Sequence, residues 1–320
     1  MTVATVGVEA ELAVWGPEVV SRPDCSLGEA HAYCRKLART HYENFPLLLG
    51  LAPRRLRRPL AVVYAWCRWA DDLADEIEGS ERSLELLRWW REELTACFDG
   101  TPRHPVSLAL QDVVNDFGLL RRPFDDLLDA FVQDQRFFEY QSYDQLLAYC
   151  RNSANPVGRI VLALSGVVDG QAVACSDAVC TGLQLANFWQ DVRRDHQAGR
   201  VYLPREDRER FGYDDASLAG QVTNDAFLEL MRFEVDRTRQ LFGSGKSLPR
   251  MLPGLRVPVM IDLFARGGRR ILDRIEGIGF RVWDQRPVVR RRDVPLMVVA
   301  AVLSGVCRWV LPRPAGGPQV

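Results

Sequence analysis

The chain has 320 residues, 47% of them hydrophobic and 26% charged, with a net charge of −1. That balance suits one globular domain with a sizeable core and excludes the basic field expected of a nucleic-acid-binding protein. Eight scattered cysteines without a CxxC pair, and four histidines without zinc-ligand spacing, read as reduced thiols and ordinary imidazoles in a cytoplasmic protein.

Residues 1–24 show no basic stretch ahead of an apolar run, so no signal peptide is expected, and they read as a flexible N-terminal segment. Residues 25–311 form the expected domain. Apolar residues recur there at three- and four-residue spacing, which predicts helices over 27–41, 59–77, 81–98, 105–117, 123–138, 143–154, 157–168, 175–197, 224–242, 255–276 and 293–310. Caps or prolines at Ser26, Pro59, Ser80, Pro123, Ser142 and Ser176 mark many of the starts. Asn155-Pro156-Val157-Gly158 should interrupt a helix, because Pro156 lacks a donor and disfavours helix at Asn155. The apolar run Val294 to Leu303 is too short for the roughly 20 residues of a membrane span. It reads as a buried helix or, second, as one resting on a membrane. Residues 312–320 read as a flexible tail. The fold class is all-α, a single helical domain around a central cavity.

Two of these helices carry acidic stripes. In Tyr64-Ala-Trp-Cys-Arg68-Trp-Ala-Asp71-Asp72-Leu-Ala-Asp75-Glu76, residues 64, 68, 71 and 75 share one face. In Gln184-Leu-Ala-Asn187-Phe-Trp-Gln190-Asp191-Val-Arg-Arg-Asp195, residues 184, 187, 191 and 195 do the same. Aspartates four apart repel by about 0.2–0.5 kcal/mol on an isolated helix. A single stripe of this kind is more often a solvated face. Two of them, each on a mostly apolar helix, call for a compensating cation. An all-oxygen cage selects a hard ion such as Mg²⁺, which completes its shell with water and substrate phosphate. The inferred substrate is a diphosphate activated as a leaving group.

These motifs resemble the paired aspartate-rich motifs of the squalene/phytoene synthase family. Gly199-Arg200-Val201-Tyr202-Leu203-Pro204 and His41-Tyr42-Glu43-Asn44-Phe45 ahead of Pro53 also match its pattern. The resemblance spans about residues 27–300 and implies the isoprenoid synthase fold. It implies Mg²⁺, more than one ion, held by Asp71, Asp75, Asn187, Asp191 and Asp195. It further implies contacts to a prenyl diphosphate from His41, Tyr42, Glu43, Asn44, Tyr64, Arg68, Gln184, Arg200 and Tyr202. Phe45 and Phe188 are candidates for the apolar lining that surrounds the cation, or else ordinary core aromatics.

Tyr149-Cys-Arg-Asn-Ser-Ala-Asn-Pro-Val-Gly158 is similar to the hydroxysqualene-forming branch, which takes presqualene diphosphate to hydroxysqualene in the bacterial hopanoid route. Squalene and phytoene synthases typically carry tyrosine within the segment matching Cys150 to Gly158, where this chain has Arg151, Asn152, Ser153 and Asn155. Gln190 stands where the phytoene branch has arginine, and Gly268 about where it has a C-terminal tyrosine. The expected reaction is therefore ionisation of one diphosphate ended by water, with Asn152, Ser153 or Asn155 positioning that water or, equally, capping the broken helix. The alternatives are a head-to-head prenyl transferase making presqualene diphosphate, dehydrosqualene or phytoene, and, ranked lower, a non-catalytic assembly protein. No NADPH requirement is expected. Nucleic acid is excluded as a partner. Peripheral contact with the inner membrane face and with other hopanoid-pathway enzymes is consistent with so apolar a product.

Overall fold

A computed structural model describes residues 7–21, 23–40, 50–290 and 292–310, and among them the fold is all-α. The helices are α1 (Val8–Trp15), α2 (Leu27–Thr40), α3 (Arg54–Asp75), α4 (Ser80–Asp99), α5 (Pro105–Phe117), α6 (Arg122–Asp134), α7 (Tyr143–Ser153) and α8 (Asn155–Leu164). There follow α9 (Gly170–Gln197), α10 (Arg205–Arg210), α11 (Asp215–Ala219), α12 (Asp225–Ser244), α13 (Leu248–Met251), α14 (Arg256–Gly277) and α15 (Asp293–Val310). Helix α3 packs on α2, α4, α5 and α6, while α9 packs on α8, α12 and α14. Helices α6, α7 and α8 join these two groups. The two acidic helices thus belong to different halves of the bundle.

Several boundaries differ from the sequence expectation for physical reasons. Helix α1 lies inside the segment expected to be flexible. Its apolar residues do not line up along one stripe, but Val8 is buried and Trp15 meets Tyr33 and His104 edge-on at 6.5 and 6.1 Å. Helix α3 starts at Arg54 instead of Pro59, because the fully buried Leu56 anchors an extra turn that outweighs the hydrogen bond lost at the proline. Helix α6 stops at Asp134 and leaves Phe137 and Phe138 exposed on an extended segment. There the Phe138 carbonyl accepts the Val201 N–H at 2.7 Å. Helix α9 begins five residues early because Asp169 caps it, accepting from the Ala172 N–H at 2.8 Å. Helices α10, α11 and α13 are too short to produce a periodic signal.

One aromatic box holds the α2–α5 half. Trp66 and Trp69 of α3 face Trp90 of α4 at 6.3 and 5.3 Å, and Trp69 lies 4.6 Å from His104 at the start of α5. Trp66 is fully buried and meets Phe124 of α6 edge-on at 5.0 Å. Truncating Trp66→Ala should cost about 3–5 kcal/mol, read as a lower midpoint in urea unfolding.

Helix α15 is pinned by Asp293, which is buried and accepts from Arg274 at 2.6 Å and Arg270 at 2.9 Å. Those guanidiniums hold its carboxyl far below the usual range. A depressed folded-state pKa stabilises above the unfolded value of about 4 and fades as pH falls below it. Asp293→Asn should therefore melt earlier than wild type at neutral pH, with the gap narrowing in thermal scans below about pH 4.

Candidate active site

The first acidic stripe occupies the last turns of α3, and Asp195 of the second lies in the last turn of α9. The helix macrodipole is negative at that end, so each carboxylate there adds to the demand for positive charge. Arg68 answers part of it on α3. It pairs with Asp71 at 3.0 Å, with Glu76 at 2.7 Å, and with the buried Asp72. The residue expected to meet substrate is therefore engaged by three carboxylates, and Asp72, which sequence reasoning passed over, is one of them. Asp75 is exposed at the mouth, while Asp71 is half-buried.

Arg200 brings the two stripes together. Its guanidinium donates to Asp75 at 2.9 Å, and its backbone N–H donates to the Asp195 carbonyl at 2.8 Å. On α9, Asp191 receives a forked pair from Arg286, with the Nη2 contact at 2.9 Å. Gln190 secures the loop that carries Arg286 by donating to the Pro287 carbonyl at 2.6 Å. Arg286 is a site residue that the sequence reading missed, since it lies in a loop without periodic signal. Asn187 is exposed and Gln184 half-buried on the same α9 face.

The remaining carboxylates are under-compensated. Burial, and then the neighbouring Asp191, push Asp195 up to about 7 despite Arg200, and its Oδ2 is buried without a hydrogen-bond partner. Burial likewise raises Asp71 to about 6, with Arg68 opposing and Asp75 adding to the shift. Asp134, at the end of α6, is raised to about 6 by burial and accepts from the Tyr149 hydroxyl at 2.8 Å. Gln135 stitches this corner to α3 through the Ala74 carbonyl at 2.9 Å. Among the described residues no three His, Cys, Asp or Glu side chains converge on one metal position. The donors instead suit Mg²⁺ ions that each take one or two carboxylates and draw the rest of their shell from water and phosphate. The orphaned Asp195 oxygen and the all-oxygen donor set both fit such an ion.

Beside the carboxylates stands an aromatic wall. Phe188 and Tyr202 stack at 3.7 Å and 6°, with Tyr149 at 6.2 Å from Phe188 and Tyr140 at 5.8 Å from Tyr202. Phe188, Tyr202, Tyr149 and Tyr140 are all buried, so the two expected contacts, Phe188 and Tyr202, sit packed in one aromatic cluster. Tyr149 and its partner Asp134 were not singled out from the sequence. Tyr64 is half-buried on α3. His41, Tyr42, Glu43, Asn44 and Phe45 lie outside the described residues.

At the break between α7 and α8, Ser153 sits one turn beyond Tyr149 on the same face, and its Oγ is buried without a partner. Asn155 is buried and accepts from the Thr181 hydroxyl at 2.9 Å, which ties α8 to α9. Asn152 is half-buried. No side chain caps the start of α8. At Gly268 a Cβ would approach Phe242 to 2.5 Å and Leu183 to 2.8 Å, so the tyrosine expected there in the phytoene branch has no room.

Comparison with known proteins agrees with this geometry. The squalene/phytoene synthase profile matches residues 38–293. The 15-cis-phytoene synthase of Synechocystis sp. is 33% identical over 286 residues, covering 85% of this chain and 84% of that one. A crystal structure of squalene synthase HpnC from Alicyclobacillus acidocaldarius superposes with a TM-score of 0.76 at 38% identity, covering 79% of this chain and 95% of that one. A dehydrosqualene synthase structure, at 24% identity and a TM-score of 0.79, covers 87% and 97% and shares the fold. Two acidic helices joined through Arg200, on a bundle of this shape, place the chain in the squalene/phytoene synthase family of prenyltransferase-like isoprenoid synthases.

Proposed function

We propose that the protein converts presqualene diphosphate to hydroxysqualene with Mg²⁺. The carbon–oxygen bond to diphosphate breaks with its electron pair leaving on the diphosphate. The carbocation rearranges, a water oxygen bonds to it, and the water's proton goes to the released diphosphate. Bound Mg²⁺, held by Asp71, Asp75, Asn187, Asp191 and Asp195, would neutralise the leaving group. Arg200 and Arg286 already neighbour those carboxylates and can turn toward the phosphate oxygens. Phe188 and Tyr149 belong to a buried aromatic cluster beside these carboxylates, and a cation formed against it would be shielded from stray water. No nicotinamide is required, because water and not hydride ends the reaction.

The observation that carries this reading is Ser153. A buried hydroxyl without a partner is costly by about 1–3 kcal/mol unless water or substrate completes it. It lies one turn from the aromatic wall, at the helix break where this chain departs from condensing synthases. Asn155, committed to Thr181, is better placed to hold α8 in position than to carry water. Ser153→Ala should keep substrate consumption within about tenfold while hydroxysqualene gives way to hydrocarbon by-products, read by mass spectrometry. Unchanged product would remove Ser153 from the mechanism.

The names of the phytoene synthase relatives favour a second reading, head-to-head joining of two prenyl diphosphates. Incubation with farnesyl diphosphate and Mg²⁺ separates the two. The proposed enzyme leaves farnesyl diphosphate untouched and consumes presqualene diphosphate, whereas brisk turnover of farnesyl diphosphate alone contradicts it. A non-catalytic assembly role fits poorly with an intact acidic site, and any Mg²⁺-dependent turnover excludes it.

A further inference from the structure

The outer face of α15 is inverted. Leu296 is 72% exposed, Val299 55% and Leu303 60%, with Val302 and Val306 beside them. These residues recur at three- and four-residue spacing, so the exposed stripe is the apolar one. The opposite side is packed: Ala301 is fully buried, and Gly305 lies so close to Val259 that a Cβ would approach it to 2.5 Å. The stripe is thus not a core face awaiting its own helix bundle. Exposed Leu255, at the start of α14, extends the patch beyond Gly305.

Arginines rim this patch. A cleft of about 410 Å³ between α14 and α15 is lined by Arg266, Arg269 and Arg270, by Asp273 and Asp293, and by Leu296, Met297 and Ala300. Exposed Arg290 and Arg292 stand at the start of α15, and exposed Arg256 adjoins Leu255. From residue 248 to 310 the chain carries twelve arginines against five acidic residues, in a protein whose net charge is −1. Three acids in or beside the cleft are already paired, Asp293 with Arg270, Asp262 with Arg266 and Asp273 with Arg239. No described helix is long and apolar enough to cross a membrane. An apolar stripe bordered by guanidiniums matches a surface that is itself apolar within and anionic at its rim, which is a bilayer carrying acidic lipids.

We propose that α15 and the arginine cleft beside it form a docking face for an anionic lipid surface, with Leu296, Val299 and Leu303 entering the acyl boundary and Arg266, Arg269 and Arg270 meeting lipid phosphates. The face stands apart from the catalytic reading, and its test reads binding only. Full-length protein is sedimented with vesicles of phosphatidylcholine alone and of phosphatidylcholine mixed with phosphatidylglycerol. The wild type should bind the mixed vesicles at least about tenfold more tightly, with the preference lost at high salt. Val299→Ser with Leu303→Ser, and separately Leu296→Ser, should weaken that binding by about tenfold or more at an unchanged melting temperature. Failure of the wild type to sediment with the mixed vesicles, or equal binding to both vesicle types, overturns the proposal. So does a dimer in light scattering that the double variant dissociates, since the face would then belong to a second copy of the chain. If the double variant fails to fold, Leu296→Ser and the salt dependence of the wild type still decide the matter.

Discussion

Asp71→Asn should lower kcat/KM on a prenyl diphosphate by about 10²–10³-fold or more, and Asp191→Asn by a similar factor. Each substitution removes one negative charge from a stripe that has to gather cations against a diphosphate. Asp71 sits between Arg68 and the rest of its own stripe, so the asparagine keeps its size while losing its pull on a metal. Asp191 holds Arg286 by a fork that an amide cannot reproduce, so that variant also frees the arginine to swing. Steady-state rates with increasing Mg²⁺ check the claim. Partial rescue at high metal concentration is expected for a ligand, and activity within about twofold of wild type would exclude that role.

Asp195→Asn should raise stability while it damages activity. The Asp195 carboxyl is raised to about 7, first by burial and then by Asp191, and one oxygen has no partner. A raised carboxyl pKa means that ionisation costs folding energy at every pH above the unfolded value of about 4, and fully so above about 7. Metal-free protein should therefore gain stability as pH falls from about 8 to 5, with Asp71 contributing in the same direction. The nominal shift corresponds to about 4 kcal/mol, and solvent screening at this half-buried site reduces it to about 1–2 kcal/mol. Asparagine removes the charge and offers its amide to Asp191. Thermal scans at pH 8 in the presence of chelator should show the variant melting above wild type, with the difference closing near pH 5. A variant that melts lower at pH 8 would show that Asp195 is already compensated by Arg200.

The parts of this site that could be read from the sequence are those that sit on long helices. Asp71 with Asp75, and Asp191 with Asp195, stand out because two stripes of mutually repelling carboxylates, each on a mostly apolar helix, call for a shared cation. The all-α class follows from the same periodicity, and most long helices lie near their expected positions. The partners of those aspartates were harder to see. Arg286 comes from a loop 95 residues beyond Asp191, and Arg200 meets Asp75 across 125 residues. Asp134 and Tyr149 belong to two different helices and acquire meaning only when their side chains meet. Arg68 shows the converse difficulty. Its position on the stripe suggested a substrate contact, yet it is held by Asp71, Asp72 and Glu76. The early start of α3 and the presence of α1 depend on burying Leu56 and Trp15 against distant neighbours, which local spacing does not encode.

The most direct test of the chemistry is turnover of presqualene diphosphate with Mg²⁺ in water enriched in heavy oxygen, followed by mass spectrometry of the extracted product. Ionisation of one diphosphate ended by water at the Ser153 break should give an alcohol that carries the heavy label. A product without oxygen, or an alcohol without the label, would contradict it.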